Sequence, residues 1–109
     1  MAITSTQSKA PADVRNVAVG RYLDTGTVDA FTITTGFKPR YVGVFNVTSG
    51  DQYEWFEGMA AASALKRVTA GTASIITTLG VTVSATGFTV GLDLDVNVTS
   101  EQISWIALG

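Results

Sequence analysis

The chain has no cysteine and no histidine, only two prolines, and few charges: Asp, Glu, Lys and Arg together make up 15% of its 109 residues. Each scarcity excludes something. Without cysteine there is no disulfide framework, zinc ribbon or thiol nucleophile, so packing or assembly alone must hold the fold. Without histidine, Ser-His-Asp and Cys-His sites and histidine-ligated metals fall away, and no lysine stands in a glycine-rich phosphate loop. The charge content lies below the roughly 25% of an average soluble domain, while 46% of the residues are hydrophobic. A small domain so composed carries much uncharged surface, which points to cover by partners. The net charge is −2, and only Lys38/Arg40 and Lys66/Arg67 approach cationic pairs, so nucleic acid is not an expected partner.

What the chain does contain is Thr, Val, Ser and Gly, which favour strands and turns over helices. The stretch from Gly36 to Gly58 organises the rest. Tyr41, Gly43, Phe45 and Val47 alternate with Val42, Val44 and Asn46, a period of two that marks a strand with two faces. Thr48 to Gln52 supplies turn chemistry around Gly50. Tyr53 and Trp55 then share one face of a second strand, opposite Glu54 and Phe56. Six of the ten aromatics lie between Phe37 and Phe56, and each buried aromatic removes roughly 150–250 Å² from water; the core is expected to nucleate there.

Residues 1–13 are small and polar apart from Ile3, and read as a flexible N-terminal arm; residues 14–109 read as a single β domain. The N-terminus shows no basic region followed by an apolar run, so no secretion signal is expected. Val14 to Leu23 reads as a strand with Val17 and Val19 inward, and Val28 to Thr35 as another with Phe31 and Ile33 on its packed face. The alanine-rich run from Met59 to Arg67 admits a short helix within a long connection. Ser74 to Leu79 is a strand, and Val81 to Leu92 a hairpin around Ser84-Ala85-Thr86-Gly87. The stretch from Val68 to Leu92 is uncharged and long enough to span a bilayer, but its many Thr, Ser and Gly residues argue against a membrane helix. Gln102 to Leu108 sets Ile103, Trp105 and Ala107 against Ser104, Ile106 and Leu108; apolar on both faces, it belongs in mid-sheet or at an interface. The whole predicts an all-β fold, an antiparallel β-sandwich or barrel.

Three groups of residues invite a chemical reading. Asp93, Asp95 and Asn97 resemble the opening of a calcium loop, but the glycine required at its sixth position is Val98; neither metal nor cofactor is expected. Asp51, Glu54 and Glu57 are candidate carboxylates for glycoside chemistry, but lie around a turn and on positions expected to be wet, so no catalytic residue is assigned. Trp55 and Trp105 would serve as sugar platforms if exposed and as core if not. Phe37, beside Lys38 and Arg40, forms an apolar knob flanked by cations.

At these residues the chain resembles a known group. Gly36-Phe37-Lys38-Pro39-Arg40-Tyr41-Val42 with Phe45-Asn46, then Glu54-Trp55-Phe56-Glu57-Gly58-Met59, and later Gly80-Val81-Thr82-Val83 with Gly87-Phe88-Thr89-Val90-Gly91, are similar to small virion proteins of tailed bacteriophages, closest in type to capsid decoration or cement proteins. The resemblance covers about Phe31 to Leu108 and rests on hairpin landmarks. It implies a jelly-roll-like β-sandwich on the capsid exterior, a dimer in preference to a trimer, that clamps neighbouring major capsid proteins; the charge and composition already argue against nucleic acid or membrane as partner. Ile3, Phe37, Arg40, Lys66 and Arg67 are the expected contacts to capsid or sister subunit. A tail-fibre or receptor-binding tip, which the ending Ile103 to Gly109 resembles, and a small carbohydrate-binding β-sandwich are the alternatives.

Overall fold

Alternating side chains produce strands throughout. The computed structural model describes residues 16–23, 26 and 29–109; the N-terminal arm, residues 1–13 with Ile3, lies outside the described residues. The strands are β1 (Val17–Leu23), β2 (Phe31–Thr34), β3 (Tyr41–Asn46), β4 (Gln52–Phe56), β5 (Ser63–Arg67), β6 (Ala73–Ser84), β7 (Gly87–Val90) and β8 (Gln102–Leu108). They form one eight-stranded sheet in the order β1-β8-β3-β4-β5-β6-β7-β2, antiparallel at every pairing. The all-β expectation holds. The sheet curls, because its terminal strands β1 and β2 meet through Tyr22 and Phe31, whose rings lie edge to face with centroids 4.2 Å apart.

One face of the curl holds the core. Val42, Val44, Tyr53, Trp55, Ala64, Val81, Phe88, Val90, Ile103 and Ala107 are buried along it, and Val96 is pressed in from the loop between β7 and β8. Tyr22 ties that loop down by donating its hydroxyl proton to the Val96 carbonyl at 2.7 Å. The uncharged run from Val68 to Leu92 forms β6 and β7, and among the described residues no helix is long and apolar enough to cross a membrane.

Three expectations are corrected. The alanine-rich run makes no helix: Ser63–Arg67 is β5, held between β4 and β6, because filling two ladders and burying Ala64 outweighs a weak local preference. In β1, Val17 and Val19 point outward, 60% and 70% exposed, while Ala18, Gly20 and Tyr22 face the core. Gly20 is needed there because Trp105 packs against it; a Cβ on Gly20 would come within 2.6 Å of the indole. Asp51 is not wet but buried. It accepts hydrogen bonds from Ser49 Oγ at 2.9 Å and from Thr69 N at 2.9 Å, joining the β3–β4 turn to the β5–β6 turn. Burial alone would raise its carboxyl, but those bonds prevail and hold it below the ordinary range.

A change of partner within β6 creates the corner of the curl. Its first half pairs with β5 and its second half with β7, and the register breaks opposite Ser63/Ala64. Leu79 takes a positive φ of 62° at the break, and a Cβ on the following Gly80 would lie 2.4 Å from the Ser63 carbonyl oxygen. Small residues are required because two backbones approach there.

Candidate interaction surface

The outward side chains of β1, β8, β3 and β4 line up in rows across the sheet. One row runs Val17, Leu108, Tyr41, Phe56; the next runs Val19, Ile106, Gly43, Glu54, Leu65, Ile75; the third runs Arg21, Ser104, Phe45, Gln52, Arg67. Strand periodicity alone puts these residues on the side opposite the core. Val17, Val19, Phe45, Phe56, Ile75, Ile106 and Leu108 are all exposed, so the convex face carries a contiguous apolar field. Scattered exposed apolar residues are ordinary; a connected set on one sheet face marks a contact surface.

The field has relief. Gly43 presents no side chain, and the depression over it, of about 400 Å³, is walled by Tyr41, Phe45, Gln52, Glu54, Ser104 and Ile106. Tyr41 leans across this notch and donates to Glu54 Oε2 at 3.1 Å, while its ring meets Phe56 edge to face at 5.2 Å. Partial burial, then the Glu54 carboxylate, raise the Tyr41 phenol above its usual value. Tyr41 and Ile106 occupy the space directly over Gly43, the phenol oxygen 2.9 Å from where a Cβ would stand, so the depression is a shallow apolar hollow beside one hydrogen-bonded carboxylate. Arg21 and Arg67 stand in the third row, at the margin of the field.

The expected contact residues scatter. Phe37 is half-buried and packed against the core, so it is not a protruding knob. Arg40 lies just before β3 and pairs with Glu57 at 3.2 Å. Lys66 turns inward: its Nζ lies 2.7 Å from Asp93 Oδ2 and 2.7 Å from Asp95 Oδ2. Arg67 is exposed in the third row, the one member of the set on the apolar field. Ile3 lies outside the described residues. What sequence reading missed is the field itself, for which the two-sided apolar pattern of Gln102 to Leu108 was the available signal.

The Asp93-Asp95-Asn97 stretch is built around a lysine. The Lys66 ammonium bridges the two aspartates, the Tyr53 hydroxyl lies 2.6 Å from Asp93 Oδ2, and Asp93 Oδ1 accepts from Asp95 N at 3.0 Å. Asn97 points elsewhere, donating to the carbonyl of Asp29 at 2.7 Å, and Glu101 accepts from Asn46 Nδ2 at 3.1 Å. The oxygens of a calcium loop thus do not converge, and among the described residues no three or more acidic side chains gather as a metal set. Burial would raise the Asp93 carboxyl, but hydrogen bonds from Lys66 and Tyr53 and the ammonium charge lower it overall. Burial would likewise lower the Lys66 pKa, and the two aspartates raise it overall.

Trp55 is buried, and Trp105 is half-buried with its ring edge to face with Phe88 at 5.4 Å. Neither offers an open stacking face for sugar. Asn46-Val47-Thr48 and Asn97-Val98-Thr99 fit the Asn-X-Thr glycosylation triplet, but both asparagines are buried with their amides engaged. No protein-family model, curated protein or solved structure matches this chain.

Proposed function

We propose that this chain is a bacteriophage virion structural protein, a decoration or cement protein that binds the outer capsid surface and holds neighbouring major capsid proteins together. The observation that carries the reading is the connected apolar field on the convex sheet face. In an isolated domain such a face is a liability; between repeated neighbours it is an adhesive. The low charge and the absence of cysteine and histidine suit a non-catalytic role of this kind, and the hairpin landmarks Gly36 to Gly58 and Gly80 to Gly91 carry the resemblance to phage decoration proteins. The finer fold reading is a jelly-roll-like sandwich. Its support is the nesting of the first two strands on the last two, β1 on β8 and β2 on β7, which is how a jelly roll wraps.

The mechanism is mechanical. Each copy buries part of its apolar field across a capsomer junction, and many copies on one shell act at high effective concentration, so modest single contacts resist the pressure of packaged genome together. Add-back to shells purified without this protein tests the reading. Wild-type protein is expected to bind them, and Phe56→Lys or Ile106→Lys to bind at least about tenfold more weakly with unchanged circular dichroism, since both side chains are exposed. Shells that ignore the wild-type protein, or bind both variants equally well, contradict it.

A further inference from the structure

We propose that β1 is an open pairing edge through which two copies of this chain join, β1 against β1, into one continuous antiparallel sheet about a two-fold axis. β1 is a terminal strand of the sheet and pairs with β8 over its whole length without a bulge. Just before it, Gly109 N donates to the Asn16 carbonyl at 2.7 Å. Antiparallel ladders alternate, so Asn16, Ala18, Gly20 and Tyr22 turn their main-chain groups toward β8, and Val17, Val19, Arg21 and Leu23 turn theirs toward the open edge. Among the described residues none pairs with that edge.

The edge also has few of the usual defences. It holds no proline or bulge, its single charge is Arg21, and Val17, Val19 and Leu23 are 60%, 70% and 52% exposed. Natural sheets blunt exposed edges with such devices; an unblunted one marks a place where a strand is added. A second copy is the occupant that fits, because the strand is complementary to itself. With the two-fold axis at Gly20, Val17 faces Leu23 of the second copy and Val19 faces Arg21 of the second copy. All four outward residues of both strands then bond, forming about eight main-chain hydrogen bonds. A shift by two residues either sets the two Arg21 side chains directly opposite one another or strands the ends unpaired.

The side chains agree with that axis. On the convex face Val17 of each copy meets Leu23 of the other, and Val19 lies against the aliphatic stem of Arg21. On the other face, Trp105 lies over Gly20, so the two half-buried indoles approach each other across the axis. The inference comes from strand geometry and does not require the virion reading: the experiment below uses purified protein alone and can fail or succeed independently of any capsid.

Sedimentation equilibrium of the wild-type chain is expected to give the dimer mass at tens of micromolar. Val19→Pro should give the monomer with unchanged circular dichroism, since it removes only an N–H that points outward from an edge strand. The chain has no cysteine of its own, so single-cysteine variants report the register. Val19→Cys copies, about 8 Å apart, should be joined by a short bis-maleimide, and Val17→Cys copies, about 20 Å apart, should not. A monomeric wild-type chain, a dimer that survives Val19→Pro, or equal cross-linking at both positions would overturn the proposal.

Discussion

Replacing Lys66 with alanine is expected to lower the free energy of unfolding by about 2–4 kcal/mol at neutral pH. The ammonium lies 2.7 Å from Asp93 and from Asp95, and the side chains of Lys66 and Asp93 are only 17% and 14% exposed. Removing the cation leaves Asp93 charged, largely out of water, with the Tyr53 hydroxyl and the Asp95 amide as its remaining partners. The cost falls below that of a fully buried pair because Asp95 is 43% exposed and water screens it. Acid provides a signature that mere loss of packing would not. In the wild-type chain the Asp93 carboxyl is held below its ordinary value, so its contribution is present above about pH 4 and is lost as pH falls. Without Lys66 the hydrogen bond and charge that oppose burial are lost, so that carboxyl takes up a proton at higher pH than in the wild type, and protonation relieves the variant. The gap between wild type and Lys66→Ala should therefore be widest at neutral pH and narrow steadily toward pH 4 in urea titrations; a gap constant with pH would show that the ion pair is not its source.

At the other end of the scale the fold should resist alkali to about pH 10 and then fail in one cooperative step. Three of the groups involved are the chain's tyrosines. Burial raises the Tyr22 phenol, burial and then the Asp93 bond and charge raise Tyr53, and burial with Glu54 raises Tyr41; the Asp93 and Asp95 contacts raise Lys66 as well. A folded value above the unfolded one contributes stability that is complete below the unfolded value, near 10, and drains away as pH climbs beyond it. Tyr22 and Tyr53 should each cost roughly 1 kcal/mol per pH unit there, a little under the unscreened figure. Two units of pH thus consume a sizeable part of a typical domain's 5–15 kcal/mol. Tyrosinate absorbance should stay flat past pH 10 and then rise together with loss of the β circular dichroism signal. Phenols that titrate one by one near pH 10 while the sheet remains intact would contradict the described packing.

The parts of the fold legible in sequence were those in which one strand contains its own evidence. Tyr41 to Phe56 declares a hairpin because both strands alternate and a turn of the right chemistry lies between them. Val81 to Val90 does the same, and Gln102 to Leu108 shows two apolar faces because its inner face feeds the core and its outer face the convex field. What stayed illegible depends on distant residues. Val17 and Val19 are the more apolar set of β1 and still face out, since the opposite side must leave room at Gly20 for Trp105. Ala64 and Lys66 belong to a strand only because β4 and β6 flank them. Lys66 also looked like a surface cation beside Arg67, whereas its carboxylate partners come from the loop after β7. The apolar field itself is a property of register across β1, β8, β3 and β4, and no one of those strands displays it.

The central claim is that this chain coats a shell, and the most direct test is its copy number per purified phage particle, measured by quantitative mass spectrometry against the major capsid protein. The account predicts hundreds of copies, in fixed proportion to the capsid protein. A handful of copies would place the chain at the tail instead, and its absence from the particle would contradict the virion role altogether.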